Sequence, residues 1–268
     1  MLVFNRFKDG KNSAITMSYD DGLASDKRLV DIFNKYGFKG TFHLNNRYDS
    51  EDAPISADEA KKLYEEHEIS CHGELHVNPL SVSPANLVTE YMNNRKCLEE
   101  IAGYPMRGCS YAYGGYNASV IETLKSCGME YARTTKSTMR FDIPDDFMQW
   151  HPTCHHANCL DMADTFLEDI NARPVISTLR LFYVWGHAHE FSRNDNWYII
   201  EEFCEKMANN PQVWYATNIE IKEYMDAVKS IKMSVDNKTV YNPTSVDVWA
   251  SLGDEVIKIP AGEIICLK

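Results

Sequence analysis

Short apolar runs alternate with amphipathic helical patterns along the chain up to about residue 228. Short apolar runs bounded by turn residues are typical of buried strands, and apolar residues spaced three and four apart are typical of helices that cover a sheet. The predicted strands are 14–19, 40–44, 68–72, 109–113, 129–133, 149–153, 179–185 and 213–217, and the predicted helices are 25–36, 56–66, 84–101, 117–128, 161–171, 196–209 and 219–229. Strands and helices that alternate in this order predict a parallel sheet with crossover helices, an α/β fold.

About seven such units predict a (β/α) barrel rather than an open sheet. No glycine-rich phosphate fingerprint follows the first strand, which disfavours a dinucleotide-binding fold. Barrel enzymes build their active sites at the rim where the strands end. The polar residues at or just after predicted strand ends are Asp20, Asp21, His72, Tyr113, Arg133 and His187.

The last forty residues follow a different pattern. Apolar and polar residues alternate with period two in 232–235, 246–249 and 256–259, and Asp236-Asn237 and Gly253-Asp254 are turn signals between them. This alternation predicts a small antiparallel β appendage. The expected organisation is therefore a barrel over residues 1–229 and a small β-rich C-terminal extension over 230–268.

Charge and composition narrow the function classes. The chain has 268 residues, of which 44% are hydrophobic and 25% charged, with a net charge of −12. An acidic protein of this kind repels phosphate backbones and anionic membrane surfaces, so neither nucleic acid nor a membrane is the expected partner. The N-terminus lacks the apolar run of a signal peptide, and the eight cysteines are irregularly spaced. We therefore expect a cytoplasmic protein without a disulfide framework.

The first candidate for chemistry is the segment Ser18-Tyr19-Asp20-Asp21-Gly22. Two adjacent carboxylates at a strand end cannot point the same way, so one can ligate a cation while its neighbour abstracts a proton. Asp-Asp-Gly is also common in turns, and the alternative is a helix cap with a solvated aspartate.

The second candidate is His72-Gly73-Glu74-Leu75-His76. Two imidazoles four residues apart meet on one face of a helical turn, as metal ligands often do. The alternative is a pair of surface histidines. One Asp and two His leave open coordination positions, which is typical of a catalytic rather than a structural metal site.

Two further motifs complete the set. In Tyr111–Asn117 the chain turns at two glycines, and such a turn can aim a backbone N–H at a developing oxyanion; it is in any case a strand-to-helix turn with an asparagine cap. His187 ends the most apolar predicted strand, where a partly buried imidazole can donate a proton to a leaving amine. A hydrogen-bonded core histidine is the alternative.

Taken together, these motifs resemble the polysaccharide deacetylase family (carbohydrate esterase family four), in the family's order across residues 14 to about 220. The resemblance implies a distorted (β/α) barrel. It also implies that Asp20 is the general base, that Asp21, His72 and His76 bind one divalent ion, that the Tyr113 backbone N–H stabilises the oxyanion, and that His187 is the general acid. Zinc is the expected ion, with cobalt, nickel or manganese as alternatives.

Two departures from the family pattern bear on the site. Ser110 stands where the family usually has an arginine that holds the base, so Arg133 or Arg107 must replace it, and Arg133 is preferred because it ends its strand at the rim. The family's fourth motif, an aspartate near a tryptophan, has no clean match, and Trp150, or Trp197 with Asp195, is the candidate to substitute for it. The expected substrate contacts are Trp185, Trp150 and His155. The Cys154–Cys159 segment, with its two histidines, is too crowded for a usual second metal site.

The expected function is removal of acetyl groups from N-acetylated sugars or oligosaccharides by a metal-dependent hydrolase. One alternative is another amide hydrolase on the same scaffold, such as a deformylase or a cyclic-amide hydrolase. The other is a carbohydrate-binding protein without catalysis. The sequence does not decide the sugar, the acyl group or the oligomeric state.

Overall fold

The structure is a computed structural model that describes residues 1–46, 55–172 and 178–267. The elements of the first half are β1 (Leu2–Val3), β2 (Ser13–Asp21), α1 (Asp26–Tyr36), β3 (Gly40–Leu44), α2 (Ala57–Leu63), β4 (Glu68–Cys71), α3 (Pro84–Ala102), β5 (Gly108–Ser110), α4 (Ala118–Ser126) and β6 (Tyr131–Arg133). The second half adds β7 (Cys154–His155), α5 (Cys159–Ala172), β8 (Arg180–Gly186), α6 (Ala188–Arg193), α7 (Tyr198–Met207), β9 (Val213–Tyr215) and α8 (Asn218–Ser230). The C-terminal strands are β10 (Lys232–Met233), β11 (Thr239–Tyr241), β12 (Val248–Leu252), β13 (Glu255–Ile259) and β14 (Ile264–Cys266).

Strands β2 to β9 form one parallel sheet in the order β6-β5-β4-β3-β2-β8-β7, with β9 paired to β2 off this path. β9 pairs with Ser13–Ile15 at the start of β2, and β3 pairs from Met17 onward. The two ends of the sheet approach each other, because Arg133 of β6 forms a parallel bridge with Trp150, just before the chain enters β7 beside β8. The predicted distorted barrel is confirmed, although the strand expected at 149–153 is reduced to this bridge and to β7.

Alternation along the strands separates two environments. In β2, the side chains of Ile15, Met17 and Tyr19 belong to the apolar core that includes helical residues such as Leu29 and Phe33 of α1. The residues between them face the barrel interior, as contacts across it show: Thr16 bonds Asn218, Ser18 bonds His43 and Asp20 bonds Ser110. Successive strand residues point to opposite faces. The same alternation turns Glu68 and His72 inward at β4, and Tyr131 and Arg133 inward at β6.

The barrel interior below the rim contains buried polar side chains. Glu68 accepts hydrogen bonds from the Thr41 hydroxyl at 2.8 Å, the Tyr131 hydroxyl at 2.7 Å and the Ile219 backbone N–H at 2.9 Å. Burial outweighs these bonds and raises the pKa of Glu68 to about 7. This carboxyl therefore titrates near neutrality although it lies far from solvent.

The helix boundaries follow local signals. The predicted capping box at Ser56 and Glu59 is present, and the chain forms a second one at Thr217 and Glu220. α1 ends before Gly37, as predicted. The short helix α6 was not predicted, because its six residues are too few to establish a helical period.

The C-terminal region forms two three-stranded antiparallel sheets, β1-β12-β13 and β10-β11-β14. The N-terminal strand β1 thus pairs with β12 near the other end of the chain, a pairing that the sequence pattern did not reveal. The region packs on α8, where the Tyr224 hydroxyl donates to the Arg6 carbonyl and accepts from the Trp249 backbone N–H. The β appendage expected from the period-two pattern is therefore present and also includes the N-terminus.

Among the described residues, no helix has the length and apolar character that crossing a membrane requires.

Candidate active site

Four strand ends bring polar side chains together at the carboxyl rim of the barrel. Asp20 lies near the end of β2, His72 follows β4, Ser110 ends β5 and Arg133 ends β6. All four side chains are buried, and Arg133 is completely inaccessible to solvent. Period-two alternation turns each of them inward at the same level, so residues up to 113 positions apart meet in one cluster.

Asp20 is the centre of this cluster. Its Oδ2 forms an ion pair with the Arg133 guanidinium, and its Oδ1 accepts a hydrogen bond from the Ser110 hydroxyl at 3.1 Å. Burial acts to raise the pKa of Asp20, but Arg133 and the surrounding histidines outweigh it and hold that pKa well below its usual range. Asp20 is therefore an ionised carboxylate with a fixed rotamer, as a base next to a cation requires.

Asp21 points away from Asp20 and towards the two histidines of the second motif. Its φ of 82° is in the left-handed region, which turns its carboxylate out of the strand direction. Asp21 Oδ1 lies 3.8 Å from His72 Nε2 and 3.8 Å from His76 Nε2, and the two imidazole nitrogens are 3.0 Å apart. One ligand atom from each of the three residues lies within 4.8 Å of the others.

The donor set and its tautomers fit a divalent cation such as zinc. His72 Nδ1 donates to Ser110, whose carbonyl oxygen is 3.1 Å away and whose hydroxyl oxygen is 2.6 Å away. Because the carbonyl can only accept, the proton is on Nδ1, and the lone pair of Nε2 faces Asp21 and His76. Metal-binding histidines are oriented in this way by a backbone or carboxylate acceptor on their other nitrogen. Ser110 therefore orients both Asp20 and His72.

Buried polar residues of α3 hold the loop that carries His76. The Glu90 carboxylate accepts from the Leu75 backbone N–H at 2.8 Å, and Asn94 accepts from the His72 backbone N–H at 3.1 Å. Gly73 has a φ of 82°, and a Cβ there would lie 2.8 Å from Glu90 Oε1. The loop geometry thus requires glycine at this position.

The Tyr113 turn lies beside the ligand cluster. Tyr113 has a φ of 57° within the turn Ala112–Gly114, and its ring centroid is 4.6 Å from that of His76. Its side chain is largely exposed, at 66%. The turn thus presents its backbone at the mouth of the site, where the oxyanion role had been expected.

His187 approaches Asp20 from the opposite wall, at the end of β8. Its Nε2 is 3.9 Å from Asp20 Oδ2, and its Nδ1 is 3.4 Å from Glu190 Oε1. Burial acts to lower the pKa of His187, but the carboxylates of Glu190, Asp20 and Asp21 outweigh it, and the pKa is raised. A raised pKa favours the protonated imidazole that a general acid requires.

A second cluster of ionisable side chains adjoins His187. Glu190 Oε2 lies 2.9 Å from His155 Nε2 and 3.2 Å from His156 Nε2. The thiols of Cys154 and Cys159 are fully buried, and burial raises the pKa of Cys154 to about 12.

The structure places the three expected substrate contacts in different environments. Trp185 is half-buried at the rim, where the Arg133 guanidinium carbon lies 4.6 Å from its ring centroid, and His155 packs edge-on against it. Trp150 is 1% exposed and packs against Tyr131 and Tyr183 in the core. The expectation that Trp150 contacts substrate is therefore corrected: it is a core residue.

Arg107, the alternative to Arg133, is far from Asp20. Arg107 starts its strand and binds Glu130 at 2.6 Å, and it also forms an ion pair with Glu223. The arginine beside Asp20 is Arg133.

Three residues of the site were missed by sequence reasoning. Ser110 gives no strand-end signal, because the predicted strand 109–113 continues past it, whereas β5 ends at Ser110 in the structure. Glu190 could have been found from its spacing, three residues after His187 in a helix. Glu90 carried no sequence signal, because its role depends on how α3 packs.

Comparison with known proteins relates this site to a family. Residues 7–132 match the family model described as polysaccharide deacetylase, whereas no curated protein matches the chain. A candidate polysaccharide deacetylase from Mycobacterium smegmatis is 17% identical over 83% of this chain and 93% of that one, with a TM-score of 0.61. The Xyl-CE4 domain of a multidomain xylanase from the hindgut metagenome of Trinervitermes trinervoides is 14% identical over 81% and 93%, with a TM-score of 0.55.

A third likeness is partial. The chain spans 55% of the length of the Streptococcus pyogenes deacetylase PplD, with 18% identity over 45% of its own length and a TM-score of 0.43. At identities this low, the two longer likenesses establish a shared barrel fold. Residues 7–132 are in addition similar to the polysaccharide deacetylase family, whose model they match.

Proposed function

We propose that the protein is a metal-dependent hydrolase that removes acetyl groups from N-acetylated sugars or oligosaccharides. The observation that carries the proposal is the placement of Asp20 between the candidate metal ligands and the candidate general acid. On one side is the Asp21–His72–His76 ligand cluster, and on the other is His187, with its Nε2 3.9 Å from Asp20 Oδ2. A hydrolytic amide cleavage needs a base, an acid and an electrophile around one point, and this rim has a candidate for each.

Asp21, His72 and His76 would hold the ion, and a divalent ion bound there supplies a Lewis acid that polarises the acetyl carbonyl and makes water more acidic. Asp20 is the group that takes a proton from the attacking water, because it is ionised and its rotamer is fixed by Arg133 and Ser110. The Tyr113 backbone N–H stabilises the oxyanion at the mouth of the site. His187 gives its Nε2 proton to the amine nitrogen as the C–N bond breaks.

The shape of the rim supports an accessible substrate rather than one enclosed in the barrel. Tyr113 is exposed at the mouth and Trp185 is half-buried in the wall, and exposed aromatic faces of this kind can pack against a sugar ring. The barrel interior below Asp20 is filled by buried side chains such as His43 and Tyr131. The acetyl group is therefore the part that enters the site.

The test is acetate release from N-acetylglucosamine and its short oligomers by protein loaded with zinc, cobalt, nickel or manganese. His76→Ala serves as the control that removes a ligand and leaves the barrel core intact. Acetate release that depends on metal and on His76 supports the proposal. Formate release from formylated amines with no acetate release would favour a deformylase, and sugar binding without turnover in every metal would favour a non-catalytic carbohydrate-binding protein.

A further inference from the structure

Glu190 occupies an unusual position among three imidazoles. It lies on α6, one helical turn after His187, and its side chain is 17% exposed. Its Oε1 is 3.4 Å from His187 Nδ1, and its Oε2 is 2.9 Å from His155 Nε2 and 3.2 Å from His156 Nε2. Buried polar atoms need partners. His187 Nδ1 and Glu190 Oε2 are both buried and make no hydrogen bond of standard geometry in the described part of the chain, so the contacts of Glu190 with the three imidazoles are ion-pair contacts.

The tautomers of the two neighbouring histidines follow from their other ring nitrogen. His155 Nδ1 accepts a hydrogen bond from the Ala157 backbone N–H at 3.3 Å, so its proton is on Nε2, facing Glu190. His156 Nδ1 is buried without a hydrogen-bond partner in the described part of the chain, and it lies against Gly186, where a Cβ would be only 2.1 Å away. A proton on Nδ1 would therefore be a buried donor without an acceptor, whereas a proton on Nε2 faces a carboxylate.

These tautomers distinguish the cluster from the Asp21–His72–His76 ligand cluster, although both consist of two histidines and one carboxylate. A metal bound through Nε2 would move the proton of each imidazole to Nδ1. In His155 that proton would face the Ala157 N–H, and in His156 it would have no acceptor. Metal-binding histidines normally donate from the second nitrogen to an acceptor, as His72 does to Ser110 and as these two cannot.

We propose that Glu190 is a positioning residue for His187, and that His155 and His156 hold its carboxylate in place. The proposal rests on the proposed function, in which His187 is the general acid. With Oε2 in ion-pair contact with His155 and His156, Oε1 faces His187 Nδ1, and the exposed Arg193 guanidinium lies 3.6 Å from it. This fixes the tautomer and the ring orientation of His187, so that its Nε2 faces Asp20 and the leaving amine.

The proton balance is simple. The protonated His187 carries one proton on each nitrogen, and its charge is stabilised by the Glu190 carboxylate. The Nε2 proton goes to the amine nitrogen as the C–N bond breaks, and the Nδ1 proton stays on the imidazole, directed at Glu190. Glu190 remains ionised throughout.

The first test compares two leaving groups in Glu190→Gln, with Glu202→Gln on the exposed face of α7 as the matched control. An N-acetylated sugar needs a proton on its amine nitrogen, whereas 4-nitrophenyl acetate releases a stable phenolate without one. We expect kcat for the sugar to fall about 10²-fold with little change in KM, since general acid catalysis contributes about 10²–10⁴-fold. Turnover of the aryl ester should stay within a few-fold of wild type, and Glu190→Asp should recover part of the loss. Equal losses for both substrates would mean that Glu190 is merely structural and would overturn the proposal.

The second test does not depend on activity. In the metal-free protein, the ¹⁵N spectrum of neutral His187 should show the proton on Nδ1, and Glu190→Leu should move it towards Nε2, where Asp20 is the remaining acceptor. An unchanged tautomer in Glu190→Leu and in Glu190→Gln would refute the role of Glu190. A zinc titration of His76→Ala that finds a tight site abolished by His155→Ala would show a metal cluster instead. If wild type deacetylates no N-acetylated amine, the proposed function fails, and the tautomer measurement still decides the contact of Glu190.

Discussion

Replacement of Arg133 by methionine tests the centre of the site most directly. Methionine keeps most of the side-chain length and removes the guanidinium that is buried against Asp20 and under the Trp185 ring. The variant leaves the Asp20 carboxylate with Ser110 as its remaining short hydrogen bond and with the histidines at 3.7 Å or more. We therefore expect Arg133→Met to affect both stability and chemistry.

The magnitude follows from burial. Asp20 is 3% exposed and Arg133 is fully buried, so solvent cannot replace the lost charge. Removal of one partner of a buried ion pair costs about 3–5 kcal/mol, because the other charge is left uncompensated. Urea denaturation of the metal-free proteins at pH 7 should show a loss of that size, unlike Lys27→Met, whose pair with Glu59 is exposed to solvent and contributes little to stability.

The loss of stability in Arg133→Met should change with pH in one direction. In wild type, Arg133 holds the pKa of Asp20 below its usual range, so the folded state keeps the carboxylate ionised through the mildly acidic range. In Arg133→Met, burial raises the pKa of Asp20. Between the pKa of Asp20 in the unfolded chain and this raised value, the folded state binds a proton that the unfolded chain has released. The deficit of Arg133→Met should therefore widen as pH rises from about 4 to 7.

Catalysis should fall in the same variant. A base that is misplaced by about 1 Å can cost about 10²-fold, and the acid limb of the pH–rate profile should move to higher pH. Arg133→Lys keeps a charge but not the paired geometry of guanidinium, so it should recover stability more than turnover. Unchanged stability, turnover and pH–rate profile in Arg133→Met would refute the assignment of Arg133 to Asp20.

Three further predictions concern neighbouring groups. Asp20→Asn should retain stoichiometric zinc, measured by titration, and lose about 10²–10⁴-fold in turnover; zinc loss in this variant with retention in Asp21→Asn would reverse the two roles. Burial raises the pKa of Glu68 from 4.5 to about 7, so the free energy of unfolding should fall by about 3 kcal/mol as pH rises through that range. Glu68→Gln should abolish this pH-dependent fall, measured by urea denaturation from about pH 4.5 to 7.5. Gly73→Ala should weaken zinc binding at least tenfold, because the added Cβ would lie 2.8 Å from Glu90 Oε1 and the residue has a left-handed φ; an unchanged affinity would mean that the His76 loop does not need this geometry.

Local pattern alone determined the order of elements and the rim residues. Apolar runs and helical spacing are short-range properties of the chain, so the alternating strands and helices, the capping box at Ser56 and the barrel class followed from them. The same pattern placed Asp20, His72 and Arg133 at strand ends. Because parallel strands end at the same edge of a sheet, it was sufficient to expect these side chains close together.

Tertiary structure decided which of the rim side chains are in contact and which candidate residues lie in the core instead of the site. The contacts of Ser110 with Asp20 and His72 depend on the register of β5 against its neighbours, and the burial of Trp150 depends on how the sheet closes between β6 and β8. The grouping of Glu190 with His155 and His156 requires α6 to fold back over β7. These relations join residues that are far apart in the sequence, and they depend on packing in three dimensions, which no periodicity along the chain encodes.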